Sequence, residues 1–186
     1  MTQCHGWCHL VHGLTSPDNV EVTTIDTLVI SHVGYDHPDA RELIAEVQAE
    51  YVQRYGGEDD SPVDPAEFAE PHGVFAVAYR DGVPVAMGGW RRHGDEHPET
   101  TWAAPCVEVK RMYVRDAARG NGFARTLLTH LEDTARDRGA RWLLLETGSK
   151  QPEAVALYRS SGYRDVPAFG FYADSEHSIH LGKQLA

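Results

Sequence analysis

Apolar positions along the chain follow two rhythms, one of period two and one near 3.6, and the switches between them outline the elements. Residues 23–33 (TTIDTLVISHV) alternate and predict a strand. Pro38 can then open a helix with Ala40, Leu43, Ile44, Val47 and Tyr51 on one face. The acidic, proline-bearing run 56–65 predicts a loop, with a short helical piece over residues 66–70. Residues 74–90 (VFAVAYRDGVPVAMGGW) are two β-rich runs joined across Asp81-Gly82, a hairpin signature. A polar loop at 91–105 leads to the strand 107–114 (VEVKRMYV). Phe123, Leu127, Leu128, Leu131 and Ala135 then form an apolar helical stripe, with Gly139 as its stop. Residues 141–147 (RWLLLET) predict a strand buried on both faces, the habit of parallel pairing. Pro152 opens a further helix, closed by Gly162, and residues 177–185 (HSIHLGKQL) predict a last strand.

The order β-α-(α)-β-β-β-α-β-α-β implies an α/β domain with a mixed sheet and a right-handed crossover in its middle. A chain of 186 residues suits one domain. The polar, aperiodic residues 1–20 are expected to be a flexible extension, leaving 21–186 as the domain. No internal repeat is present. The formal charge of -11 argues against binding nucleic acid or an anionic membrane, and mildly favours amine-bearing partners. With no apolar run long enough to span a bilayer and no basic start, the chain is expected to be soluble and cytoplasmic. Three cysteines make no disulfide framework.

The seam between strand and helix, VRDAARGNGFARTLL, raises the main chemical question. A helix N-terminus offers unpaired N–H groups and the positive end of a dipole, and glycines let backbone come close to a phosphate. Such a seam is also compatible with a plain turn. A dinucleotide fingerprint fails because Arg125 stands at its third glycine, and no Gly-Lys-Ser/Thr follows for a P-loop.

Context decides between the two. The seam resembles the acetyl-CoA pyrophosphate loop of the GNAT superfamily of N-acetyltransferases, whose Gln/Arg-x-x-Gly-x-Gly/Ala pattern is filled by Arg119, Gly122 and Ala124. A second stretch, QPEAVALYRSSGY, is similar to the family's Asn-x-x-Ala-x-x-x-Tyr-x-x-x-Gly-Phe/Tyr, with Gln151 in place of the usual Asn. The resemblance spans residues 25–185. It implies a GNAT fold, acetyl-CoA as cosubstrate with no metal required, and a homodimer as a common state. It also implies coenzyme contacts from Met112, Tyr113, Val114, Arg119, Gly120, Asn121, Gly122, Phe123, Ala124, Arg125 and Gln151.

Acetyl transfer to an amine needs a base, a polarised carbonyl and a proton for the leaving thiolate. By resemblance Tyr158 is the family's helix tyrosine, able to donate that proton, and the backbone at Met112–Val114 would polarise the thioester. Glu108 is the expected base: alternation places it with Lys110 on the strand face shared by Met112 and Val114, close to the coenzyme seam. It could equally pair with Lys110. The acceptor is expected to be a small cationic amine. A protein or peptide amine is the alternative substrate, and a non-catalytic acyl-CoA sensor the alternative class. Tyr51, Tyr55, Trp102 and residues 168–178 are expected to border the acceptor. Cys4, His5, Cys8, His9 and His12 form a tract with metal-ligating chemistry but without a second ligand pair at zinc-finger spacing. Cys106 has no neighbouring base to make it a nucleophile, and His130 reads as a surface position on its helix.

Overall fold

The computed structural model describes residues 28–93 and 105–185. Seven strands form one sheet: β1 (Leu28–His32), β2 (Gly73–Arg80), β3 (Val83–His93), β4 (Cys106–Val114), β5 (Trp142–Gly148), β6 (Arg164–Asp165) and β7 (Ser178–Gln184). They lie in the order β1-β2-β3-β4-β5-β7-β6. All neighbours are antiparallel except β4 and β5, joined by a crossover through helix α2 (Phe123–Asp137). Helices α1 (Pro38–Tyr55) and α3 (Pro152–Ser160) complete the set.

The pattern-based expectations explain most of this. Pro38 does open α1, and Gly56 closes it at φ 85°. Asp81 and Gly82 both take positive φ (52° and 78°), as a tight hairpin turn requires. The stripe on α2 packs as predicted: Leu127, Leu128, Leu131 and Ala135 are buried against Val107, Val109 and Leu143 on one face of the sheet. On the other face α1 contributes Ala40, Leu43 and Val47 to a cluster with Phe68, Phe75 and Met87.

Four local differences have simple causes. Arg91–His93 extend β3 by pairing with residues 106–108 where a loop was expected. The helical piece after the acidic loop is a single 3-10 turn, Pro65–Phe68. β5 is parallel only to β4 and antiparallel to β7, so burial on both faces reflects its central position. The two-residue β6 is too short to leave a periodic signal. The expectations for residues 1–20 and Trp102, and the start of the first strand, lie outside the described residues.

The most consequential difference lies in β4. Arg111 adopts φ 57°, and the β3–β4 register slips between Met87 and Gly89. This is a β-bulge, and one inserted residue reverses the alternation beyond it. Met112 and Val114 therefore pack on the α2 face with Val107 and Val109, while Tyr113 packs on the α1 face. The expectation that Glu108 and Lys110 share a face with Met112 and Val114 is thus corrected: the bulge separates them.

Candidate active site

The same bulge opens the sheet. Parallel pairing of β4 with β5 runs from Cys106↔Trp142 to Val109↔Leu145 and stops there. Beyond it the strands splay, leaving backbone groups of Lys110–Val114 and Glu146–Gly148 without partners across the gap. A cleft of about 340 Å³ enters this gap. Its floor is Met112, Tyr113 and Val114, and its sides are the α2 N-terminus and the α3 residues Ala154, Leu157 and Tyr158.

At the mouth, Gly120 (φ 82°) and Gly122 (φ 80°) curl the chain into α2. Gly122 is the N-cap, with no side chain to cap the helix. Among the described residues, the N–H groups from Gly120 to Ala124 donate to no backbone acceptor, which leaves a ring of orphan donors at the positive end of a helix. Nothing lies within 4 Å of where a Cβ would stand on either glycine, so the nest is open. Arg119 is fixed in place: its Nε donates to the Val114 carbonyl (3.0 Å) and its Nη2 to Glu50 (2.6 Å). Arg125 donates to the hydroxyls of Ser160 and Ser161 on α3. This donor set, with Arg119 beside it, fits a diphosphate, and the apolar gap behind fits a narrow pantetheine-like arm.

Of the residues expected to touch the coenzyme, Met112, Tyr113, Val114, Arg119, Gly120, Gly122, Phe123, Ala124, Arg125 and Gln151 line this cleft, as does Tyr158. Asn121 does not: its side-chain amide turns back to the carbonyls of Ala118 and Arg119 and braces the loop. Tyr158 is 6% exposed, and burial pushes its phenol up, so it holds its proton through the neutral range.

Glu108 lies on the α1 face, away from the cleft lining and 4% exposed. One carboxylate oxygen meets Lys110 (2.8 Å) and the other Arg91 (3.1 Å), so both are engaged by cations. A different carboxylate stands at the splay. Glu146, on β5, follows the last β4–β5 pair and accepts a hydrogen bond from Ser178 (2.8 Å). Burial raises its pKa against the opposing pull of Ser178 and Lys110, and it has no ion pair among the described residues.

Two loops close over this side. Asp59, which follows α1, pairs with Arg111 and accepts from the hydroxyl of Tyr172 (2.9 Å), in the loop before β7. The Asp60 N–H donates to the same hydroxyl (3.0 Å). Burial alone would raise the Asp59 pKa, but hydrogen bonds from Ser61 and the Arg111 charge hold it below its usual value. The Tyr172 phenol is pushed up to about 12 by burial and by Asp59. Tyr51 projects from α1 into the cleft, where Asp59, Arg111, Tyr158 and Glu146 all bear on its phenol. Tyr55 covers Gly148 and is reached by the Gln151 amide (3.4 Å). Of the residues expected to border the acceptor, Tyr51 lines the cleft, Tyr55 packs over Gly148, and the 168–178 segment reaches Asp59 through Tyr172. Glu146, Asp59 and Arg111 were missed, since nothing local marks them.

Comparison with known proteins places this geometry. Residues 40–163 match the model of the acetyltransferase (GNAT) family. The chain belongs to that family. The resulting GNAT acetyltransferase is 35% identical over 144 residues to a protein of Azospirillum brasilense named IAA acetyltransferase, covering 77% of this chain and 89% of the relative. A crystal structure from Klebsiella pneumoniae, described as an acyl-CoA N-acyltransferase, superposes with a TM-score of 0.68 at 27% identity, covering 86% of this chain and 98% of the other. A GNAT acetyltransferase from Elizabethkingia anophelis, crystallised with acetyl-CoA bound, shares the fold at a TM-score of 0.57 and 15% identity, over 85% and 98% of the chains. The GNAT acetyltransferase described here has no three metal-ligating side chains converging among its described residues. None of its described helices is long and apolar enough to cross a membrane.

Proposed function

We propose that this acetyltransferase uses acetyl-CoA to acetylate a small amine, with Glu146 as the general base and Tyr158 as the acid. The observation that carries the reading is that both groups bear on the phenol of Tyr51, which lines the cleft with Tyr158, while Glu146 follows the last β4–β5 pair where the strands splay. Bound acetyl-CoA would supply the activated thioester. The Gly120–Ala124 donors and Arg119 would hold its diphosphate, Gln151 would face its arm, and free backbone N–H groups around Met112–Val114 would polarise the carbonyl.

An alkylamine with pKa near 10.4 must lose a proton before attack, at a cost of about 4–5 kcal/mol at pH 7. A carboxylate with a raised pKa and no cation of its own is suited to accept that proton. Glu108, expected as the base, is assigned instead to holding Lys110 and Arg91. Tyr158 would return a proton to the departing sulfur. The cations on this face are matched by Glu108, Asp59 and Glu67, which leaves Glu146 as surplus negative charge and favours a cationic amine. The clasp between Asp59 and Tyr172 covers the acceptor side and favours a small molecule over an extended peptide.

The test is thiol release from acetyl-CoA across small amines, amino acids and peptides. Saturable turnover with one class of small amine, lost in Glu146→Gln and retained in part by Glu108→Gln, is expected. Turnover on peptides alone, or a larger loss in Glu108→Gln than in Glu146→Gln, would overturn the assignment.

A further inference from the structure

A second constellation lies apart from the cleft, where the sheet edge meets α2. On β1 the residues Leu28 and Ile30 point into the α2-side core, and by the same alternation His32 faces α2 at the strand's end. His130, on the flank of α2, faces it. The two Nε2 atoms stand 2.8 Å apart, with ring centroids at 5.1 Å and planes tilted by 57°. His32 is exposed and His130 half-buried, so solvent reaches the pair.

From this pair we infer a two-histidine site for a divalent cation of tetragonal preference, Cu²⁺ or Ni²⁺. Two nitrogens 2.8 Å apart, each about 2.0 Å from a common metal, subtend close to 90°. That is the cis angle of a square-planar or tetragonal centre, narrower than the tetrahedral angle zinc prefers. Both ligands ride on regular elements, so their separation is set by the fold. In the neutral pair one Nε2 carries the proton of this bond; on metal entry that ring holds its proton on Nδ1 instead, by exchange with solvent, and both Nε2 atoms become ligands. Asp133 is engaged by Arg136 (2.6 Å), so water completes the coordination. A metal here would tie the edge strand to the helix whose N-terminus forms the anion nest, without entering the acetyl-transfer chemistry.

The test is thermal unfolding and calorimetry of the full chain with Ni²⁺, and with Cu²⁺ for electron paramagnetic resonance. Nickel should raise the melting temperature, and the copper spectrum should show two coordinated imidazole nitrogens. His32→Asn and His130→Asn should each abolish the nickel-induced rise while the metal-free melting temperature stays put. The tract Cys4, His5, Cys8, His9 and His12 is a competing ligand source in sequence, so a variant with all five replaced must keep the rise. A rise that survives either single substitution, one that disappears with the five-residue variant, or no saturable nickel binding at all would overturn the site.

Discussion

Tyr158→Phe separates catalysis from structure cleanly. The ring is 6% exposed and packs edge-on against Tyr163 at 5.7 Å, contacts that phenylalanine keeps. Burial alone shifts the phenol, and its oxygen has no hydrogen bond to a described residue, so removing it orphans no partner. Folding stability should therefore stay within about 0.5 kcal/mol of the parent. Acetyl-CoA affinity should also hold, because the Gly120–Ala124 donors and Arg119, proposed to hold its diphosphate, are untouched by the change. What disappears is the proton donor. General acid catalysis contributes roughly 10²–10⁴-fold, or about 2.7–5.5 kcal/mol of barrier.

The measurement is kcat with saturating acetyl-CoA and the best amine, beside calorimetric acetyl-CoA binding and thermal unfolding. Because burial raises the phenol pKa, the wild-type hydroxyl stays protonated across the assay range, and the defect should be uniform from neutral to mildly alkaline pH. A kcat within roughly threefold of wild type, less than about 0.7 kcal/mol, would refute the donor role. So would a loss of turnover that merely tracks a loss of coenzyme binding.

Glu146 has a raised folded-state pKa, so its proton is lost at higher pH than in the unfolded chain, and ionisation at neutral pH costs stability that protonation restores as pH falls. Glu146→Gln should accordingly melt higher than wild type near pH 7, with the gain fading in acid, and should flatten the acidic limb of the kcat/KM profile; an unchanged limb counts against the base assignment. Arg111→Gly and Arg111→Ala each strand Asp59 and should lose about 3–5 kcal/mol in denaturant unfolding. Glycine accepts φ 57° freely, so the alanine variant should be the weaker by about 1 kcal/mol, and the reverse order would contradict the bulge. Arg119→Ala should raise the KM for acetyl-CoA by roughly 10–100-fold, the worth of one charge-assisted contact, with kcat nearly unchanged; a fall in kcat at constant KM would point to another role.

The elements were readable because they depend on near neighbours. Pro38 and Gly56 bracket α1, Asp81-Gly82 makes the hairpin, and the α2 stripe repeats every third or fourth residue. The residues that line the cleft were readable by resemblance, since its glycines and Arg119 sit within a few positions of each other. The reactive end was not. Glu146 lies in an apolar strand whose pattern says only that it is central, and its perturbation comes from burial beside residues far along the chain. Asp59 and Tyr172 are 113 positions apart, and either alone reads as an ordinary loop residue. The bulge was hidden for a different reason. VEVKRMYV alternates well enough to pass as a regular strand, and no glycine marks the positive φ at Arg111.

That absence of glycine has a physical sense. A left-handed backbone at a non-glycine residue costs about 1–2 kcal/mol, and glycine would remove the cost. Arginine keeps it because the bulge serves two ends at once. The extra residue turns β4 away from β5 after Val109, which leaves the backbone groups proposed to polarise the thioester without partners across the gap. It also aims the Arg111 side chain at the α1 face, where the guanidinium holds Asp59 and receives support from the Tyr35 hydroxyl (3.3 Å). Asp59 in turn anchors Tyr172, so the loop before β7 hangs on the same residue that opens the gap between β4 and β5. Under the proposed function, the geometry of the two substrates would thereby be coupled through one backbone irregularity. A glycine at this position would preserve the splay and release the clasp, and the donor and acceptor halves of the site would lose their common reference.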